Sequence, residues 1–429
     1  MKSYLIALML VLVFPIVQAA HAAEVSLSGF GTVGYAVSDK EYDYQRFIND
    51  NGTLKRDTVI GVQADVKINE QFRITLQGKL SPSEKNDTDW VPDISWAFLS
   101  YRPSNDWLFR LGKLRVPMYL NSENVDVGVT HDMARLPAEM YLLSPINDML
   151  GISVSKTWSP AIGEFMLESY WGKAPFYWRV YMRDDATMLG GMREGANFWP
   201  MDMESTGMVM TFQRNASVFR AGIHYAIAQM KDGSPLNERY TLQPVYIPTP
   251  AGLMRVGDAY QYDVPNLSHS IRNIVYVLGC DIDLGLDFRL LAEYGRRSIP
   301  DFDGAPDSQG GYVALLRKMG KWTPYISVSR LLSAEKVRNM FESINSYQIY
   351  GPADFLNATQ HQLVDSINAY DQYTWAVGIS YHLTPKQKIK AEGAQNRIRG
   401  MSALIDNPPG ARISDADINI FSISYNFVF

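Results

Sequence analysis

Hydrophobic and polar residues alternate along much of this chain, and the clearest example lies near its start. From Asp57 to Ile68, every second residue from Thr58 onward is apolar or threonine, while most of the opposite positions are polar. Phe72–Leu80 repeats the pattern after three turn residues. Successive side chains of a strand point to opposite faces, so period-two alternation predicts strands with one apolar and one polar face. Joined by so short a turn, these two segments predict an antiparallel hairpin.

The last fourteen residues, Ala416–Phe429, carry the same signal. Large apolar residues occupy alternate positions from Phe421 to Phe429, with serine or asparagine at most of the positions between them. The segment predicts a strand whose apolar face must be covered by lipid or by a neighbouring strand.

The alternation recurs along the whole chain and predicts about 16 strands. The other predicted strands lie near residues 24–37, 92–101, 107–113, 150–158, 164–172, 206–213, 216–229, 270–280, 286–297, 311–317, 322–331, 370–383 and 388–400. Short turns alternate with long polar connections, and an even number of strands can close without a free edge. The predicted fold class is therefore all-β: a transmembrane antiparallel β-barrel with short periplasmic turns and long extracellular loops. The longest early connection, residues 114–149, follows the fifth predicted strand.

The N-terminus supports export from the cytoplasm. Lys2 precedes the apolar run Tyr4–Val17, and Ala20–Ala22 has the small-x-small pattern of a cleavage site. We expect residues 1–22 to be a removed signal peptide and residues 23–429 to form the barrel domain.

Composition restricts the classes of function. The formal net charge is −5, which disfavours nucleic acid as a partner. Cys280 is the sole cysteine, so the sequence predicts neither an internal disulfide nor a cysteine metal cluster. We find no zincin histidine pair, GxSxG elbow or Walker loop, and therefore expect no enzyme activity, cofactor or bound metal.

Two local motifs have simple structural interpretations. Gly29–Gly34 matches GxGxxG, but it lies within an alternating segment with no helix after it, so we expect a strand whose glycines allow a neighbour to approach closely. Asp301, Asp303 and Asp307 could ligate Ca²⁺. Because their spacing departs from a calcium loop, an acidic surface loop that bridges lipopolysaccharide through divalent ions is the favoured interpretation.

The terminal strand ending in Phe429 resembles those of Gram-negative outer-membrane barrels, in which it serves as an assembly signal. The 16-strand layout, and the segment Trp96–Gly128 (WAFLSYRPSNDWLFRLGKLRVPMYLNSENVDVG), resemble the general porin family. The resemblance implies an outer-membrane location, a homotrimer, and contacts with outer-membrane lipid, lipopolysaccharide and, through the C-terminal strand, the barrel-assembly machinery. It also implies that loop 114–149 narrows the barrel. This loop lacks the short acidic-glycine signature that many members carry there.

Charged residues in that loop and on the neighbouring strands are the candidate constriction residues. Carboxylates of the loop facing cations of the wall would create a transverse field that sorts solutes by charge. The alternative is that the loop charges are only solvated outside the barrel. The candidates are Glu123, Asp126 and Asp132 in the loop, Arg73, Lys79 and Arg110 on the wall, and Arg115 near the rim.

The favoured function is passive diffusion of small hydrophilic solutes and ions through a water-filled channel. The first alternative is a substrate-specific channel for a sugar, a phosphate or a carboxylate. An outer-membrane hydrolase or a surface adhesin is less favoured.

Overall fold

Sixteen antiparallel strands close into a barrel in the computed structural model of the chain. The structure describes residues 24–429 apart from 186–191, 238–239, 263–266, 301 and 303. The predicted signal peptide, residues 1–22, therefore lies outside the described residues. The barrel strands are β1 (Glu24–Ser38), β2 (Val59–Lys67), β3 (Phe72–Pro82), β4 (Trp90–Ser104), β5 (Trp107–Arg115), β6 (Asp148–Trp158), β7 (Glu164–Met182), β8 (Gly195–Arg214), β9 (Ser217–Met230), β14 (Ile271–Gly285), β15 (Phe288–Ser298), β16 (Ser308–Arg317), β17 (Trp322–Ser333), β18 (Tyr370–Thr384), β19 (Gln387–Ser402) and β20 (Asp417–Val428).

The first and last barrel strands close the cylinder. Strand β1 pairs with β20 from Phe30 opposite Val428 to Ser38 opposite Ile420. The backbone N–H of Gly29 donates to the carbonyl oxygen of Phe429 at 3.0 Å, and the N–H of Phe429 donates back at 3.0 Å. The GxGxxG motif is strand throughout, as predicted, and an added Cβ at Gly29 would meet the Phe429 ring at 2.2 Å. These glycines thus let the terminal aromatic rings lie against β1.

The two faces of the wall follow the predicted alternation. Large apolar side chains such as Leu27, Ile326 and Val377 are exposed on the outer face. The inner face carries buried polar residues such as Ser424 and Asn426 on β20. An apolar outside and a polar inside are what a strand between lipid and water requires.

Strands β7 and β8 are longer than the alternation predicted. The segment 173–204 was expected to be a loop, but Lys173 pairs with Glu204 and the ladder continues to Met182 opposite Gly195. Phe176, Val180 and Met182 are buried. Beyond the membrane a strand is covered by other loops instead of lipid, so its pattern differs from that of the spanning part.

The extracellular loops contain further regular structure. Strands β10 (Leu236–Asn237) and β13 (Leu267–Ser268) pair with each other, as do β11 (Tyr240–Thr249) and β12 (Gly252–Tyr262). The connection from β17 to β18 contains the helices Glu335–Asn345 and Asn357–Ser366. Over the part of the chain that the structure describes, every helix is too short or too polar to cross a membrane.

Candidate pore constriction

The connection between β5 and β6 lies inside the barrel and touches its wall on several sides. An added Cβ at Gly128 would meet Asn426 Oδ1 of β20 at 1.9 Å and Thr32 Oγ1 of β1 at 2.6 Å. On another side, the Leu120 N–H donates to Glu293 Oε2 of β15 at 2.8 Å. The loop therefore folds inward without the acidic-glycine signature, and contacts with individual wall residues hold it there.

Asp126 joins the loop to two cations of the wall. Its carboxylate lies 3.0 Å from Lys79 Nζ and 2.8 Å from Arg115 Nη2. Arg115, whose facing the alternation could not settle, is buried and also contacts Asp148 at 3.1 Å. Burial raises the pKa of Asp126, but Lys79 and Arg115 outweigh it and lower the pKa to about 2. The carboxylate is therefore ionised at neutral pH and anchors the loop to β3 and β5.

Asp132 forms a second anchor on the far side of the barrel. Its Oδ1 accepts hydrogen bonds from Lys388 Nζ at 2.7 Å and Ser380 Oγ at 2.9 Å. His382 Nε2 lies 3.1 Å from the same oxygen. Although burial raises the pKa of Asp132, Lys388 lowers it to about 2. The loop is thus fixed to β18 and β19 as well as to β3 and β5.

Glu139 is a third anchor, and it was not among the predicted constriction residues. It lies in the short helix Ala138–Tyr141, and its carboxylate accepts from Ser329 Oγ at 2.9 Å and Gln372 Nε2 at 3.1 Å. Glu139 is 2 % exposed, although a glutamate in a polar loop is expected in water. The apolar neighbours Ala138 and Met140 were the available sign that this stretch packs against the wall.

The remaining candidates are Glu123 of the inserted loop, Arg110 of β5 and Arg73 of β3. Glu123 Oε1 accepts from Arg110 Nη1 at 3.1 Å, and this pair is more exposed than the anchors, with 51 % of the Glu123 side chain accessible. Arg73 is exposed near the turn end of β3, opposite Lys67 and Ser100. The loop carboxylates thus contact wall cations directly, and the Glu123–Arg110 pair is the most accessible of these contacts.

The comparisons with known proteins concern the fold. No family model and no curated protein matches the sequence. Among solved structures, the trimer form of OmpT, an outer-membrane protein of Vibrio cholerae, has a TM-score of 0.51 at 11% identity and covers 95% of this chain and 100% of that chain. Salmonella typhi OmpF in complex with daunomycin has a TM-score of 0.49 at 11% identity over 94% of this chain and 97% of that chain. An anion-selective porin from Comamonas acidovorans has a TM-score of 0.48 at 9% identity over 95% and 100%. This chain has the fold of an outer-membrane β-barrel with 16 strands.

Part of the interior of this barrel is apolar, contrary to the polar inner wall that the alternation predicted. Met201 and Met203 of β8 and Val275 of β14 are buried in one cluster with Met118 and Leu143 of the inserted loop. These wall residues face a folded loop instead of water, so apolar side chains are stable there. One side of the loop is therefore held by apolar packing, and the other sides by ion pairs and hydrogen bonds.

A network of ion pairs joins the extracellular loops above the inserted loop. Arg179 contacts Asp87 at 2.9 Å and Asp406 at 2.8 Å, and Asp87 also contacts Arg46. Asp365 contacts Arg412 at 2.7 Å. Burial raises the pKa of Asp406 to about 6 despite the attraction of Arg179. The loops that follow β1, β3, β17 and β19 are thus held together with the outer part of β7 over the mouth, and we call this network the cap.

The proposed acidic loop is described only in part. Asp301 and Asp303 lie outside the described residues. Asp307 is buried, contacts Arg296 at 2.5 Å and accepts from the Ile299 N–H at 3.0 Å. Asp307 therefore binds groups of its own chain instead of facing the solvent.

Proposed function

We propose that this barrel is a porin: a water-filled channel for passive diffusion of small hydrophilic solutes and ions, with loop 114–149 as its constriction. The observation that carries the proposal is the loop itself, which lies inside a closed 16-stranded barrel and is anchored by charged contacts to opposite walls. A barrel of this size leaves an aqueous channel unless it is plugged, and an inserted loop narrows it without a separate plug domain.

The direct test is conductance in planar bilayers. Purified full-length chain, folded and reconstituted, is expected to insert with stepwise increases in current. Absence of steps, with folding verified by heat-modifiable migration on a gel, would overturn the proposal.

Selectivity is expected to depend on the exposed pair between Glu123 and Arg110. Arg110→Ala leaves the Glu123 carboxylate without its 3.1 Å partner, so a negative charge in the lumen should attract cations. Reversal potentials across a salt gradient should shift toward cation selectivity. Lys156→Ala is the matched control, because Lys156 pairs with Asp106 at 3.0 Å beside the outward-facing Trp107. An equal shift in both variants would remove Arg110 from the constriction.

The proposed assembly follows from the resemblance to the general porin family. We expect a homotrimer in contact with outer-membrane lipid and lipopolysaccharide, inserted by the barrel-assembly machinery through the strand that ends in Phe429 after removal of residues 1–22. An unheated sample that migrates on a gel as one chain would contradict the trimer.

A further inference from the structure

A cavity of about 450 Å³ lies between the inserted loop and the extracellular loops. Its floor includes Tyr141 and Asn147 of the inserted loop, and its sides include Phe176, Trp178 and Tyr370. Small-molecule sites occupy roughly 300–1,000 Å³ and are mostly apolar with a few polar groups. The cavity therefore has the size and the apolar surface of a site for a small solute.

Four arginines line this cavity, and they fall into two pairs. Arg46 and Arg179 both contact the carboxylate of Asp87, so their charges are compensated. In the described part of the chain, neither Arg56 nor Arg297 has a carboxylate within salt-bridge distance.

Arg297 donates only to uncharged oxygen atoms. Its Nε donates to the Pro306 carbonyl oxygen at 2.7 Å, and its Nη1 donates to the Leu143 carbonyl oxygen at 3.1 Å. A guanidinium carries five N–H groups and a charge that carbonyl groups do not neutralise. Arg297 is therefore a positioned cation that still lacks a counter-charge.

Arg56 is more available than Arg297 to bind an anionic ligand. Its Nε is buried and has no hydrogen-bond partner among the described residues. Burial, followed by the nearby Arg135, lowers the pKa of Arg56 to about 10, so the side chain is still charged at neutral pH. Among the described residues that line the cavity, Glu84 is the one with a carboxylate. An unpaired buried N–H on a cation is costly, and an anionic ligand would satisfy it.

We propose that this cavity binds a small solute that carries a carboxylate on an apolar or aromatic body, with Arg56 holding the carboxylate, the charge of Arg297 in the same lining adding attraction, and the aromatic wall holding the body. Guanidinium and carboxylate match in planar geometry, which favours a carboxylate over a neutral polar group. The inference rests on the proposed function in one respect, since solutes must reach the cavity from the channel mouth.

The test is calorimetric titration of the full-length chain, folded in detergent micelles, with benzoate. Acetate has the charge without the body, and benzyl alcohol has the body without the charge. We expect benzoate to bind at least about tenfold more tightly than either. Benzyl alcohol binding as tightly as benzoate would overturn the role of the arginines, and acetate binding as tightly would overturn that of the aromatic wall.

Two substitutions of Arg56 and one control variant locate the site. Arg56→Gln should weaken benzoate binding by about tenfold or more, and Arg56→Lys should retain part of it. Lys55→Gln is the control: it removes the same charge one residue away, where Nζ donates to the Asp87 carbonyl oxygen at 2.8 Å and does not line the cavity. Unchanged affinity in Arg56→Gln, or an equal loss in Lys55→Gln, would overturn the proposal.

Bilayer recordings separate this inference from the channel function. A conducting protein that does not bind benzoate would refute the site and leave the porin function intact. A protein that binds benzoate without conducting would support the site and refute the channel.

Discussion

Replacing Asp126 by asparagine should release the inserted loop from one wall. The substitution keeps the shape of the side chain and removes its charge, which is 3.0 Å from Lys79 and 2.8 Å from Arg115. The Arg115 side chain is 4% exposed and would lose one of its two counter-charges. Removal of one partner from a buried pair is strongly destabilising because it leaves an uncompensated charge behind.

The size of the effect follows from the pKa of Asp126. This pKa is about 2 instead of 3.8, and a difference of one in pKa corresponds to about 1.36 kcal/mol. The charge therefore stabilises the docked loop by roughly 2 kcal/mol, a factor on the order of tens in the docking equilibrium. The pKa is lowered in the docked state, so the stabilisation is complete above about pH 4 and is lost as the pH falls toward 2.

Single-channel recording is the assay. At pH 7 we expect Asp126→Asn to show transitions to a higher conductance that the unmodified protein shows only below about pH 4. Asp93→Asn is the control, because Asp93 forms a more exposed pair with Lys113 at 3.0 Å and does not contact the inserted loop. Traces of Asp126→Asn that match those of the unmodified protein at pH 7 would refute the view that this ion pair holds the loop.

Three other perturbations test the cap, the loop helix and the outer wall. The pKa of Asp406 is about 6 in the closed cap, so the closed cap binds a proton more tightly than an open one and is favoured as the pH falls through 6. Conductance should therefore decrease from pH 7 to pH 5, and Asp406→Asn should remove that dependence. An added Cβ at Gly310 would lie 1.9 Å from the Glu139 carbonyl oxygen. Gly310→Ala should therefore displace the loop helix and destabilise the barrel by about 1–3 kcal/mol, measured by urea titration. Gly393→Ala is the control and should be neutral, because an added Cβ there meets open space. Ile326 is 58% exposed on the outer face, and Ile326→Arg should cost about 2–4 kcal/mol of unfolding free energy in lipid vesicles; a loss below 1 kcal/mol would place this position outside the hydrocarbon region.

The ion-pair network of the extracellular loops and the inserted loop act at different depths of the same lumen. The anchors Asp126 and Asp132 have pKa values of about 2, so these two contacts should respond to pH only in strong acid. Asp406, by contrast, titrates near pH 6. A pH response near neutrality is therefore expected from Asp406 of the cap and not from the anchors Asp126 and Asp132.

The sequence by itself determined the barrel. Lipid outside and water or polar loops inside require period-two alternation, and this requirement acts locally on every spanning strand. The hairpin of β2 and β3 and the terminal strand β20 were recognisable for that reason, within a few residues of their observed limits. In the outer part of β7 and β8 the surroundings are other loops instead of lipid, so alternation of apolar and polar residues no longer predicts the strand.

Only the tertiary structure decided where the loop charges lie and which partners they have. Asp132 contacts Lys388 across 256 positions of sequence, and no local pattern encodes such a pairing. Glu139 is buried because the loop turns its short helix toward β17 and β18, and Met203 of the wall is apolar because the loop covers it. Periodicity depends on whether lipid or water lies on each side of a strand, which is a local property. The loop contacts depend on which part of the wall lies next to the loop once the barrel has closed, which is not a local property.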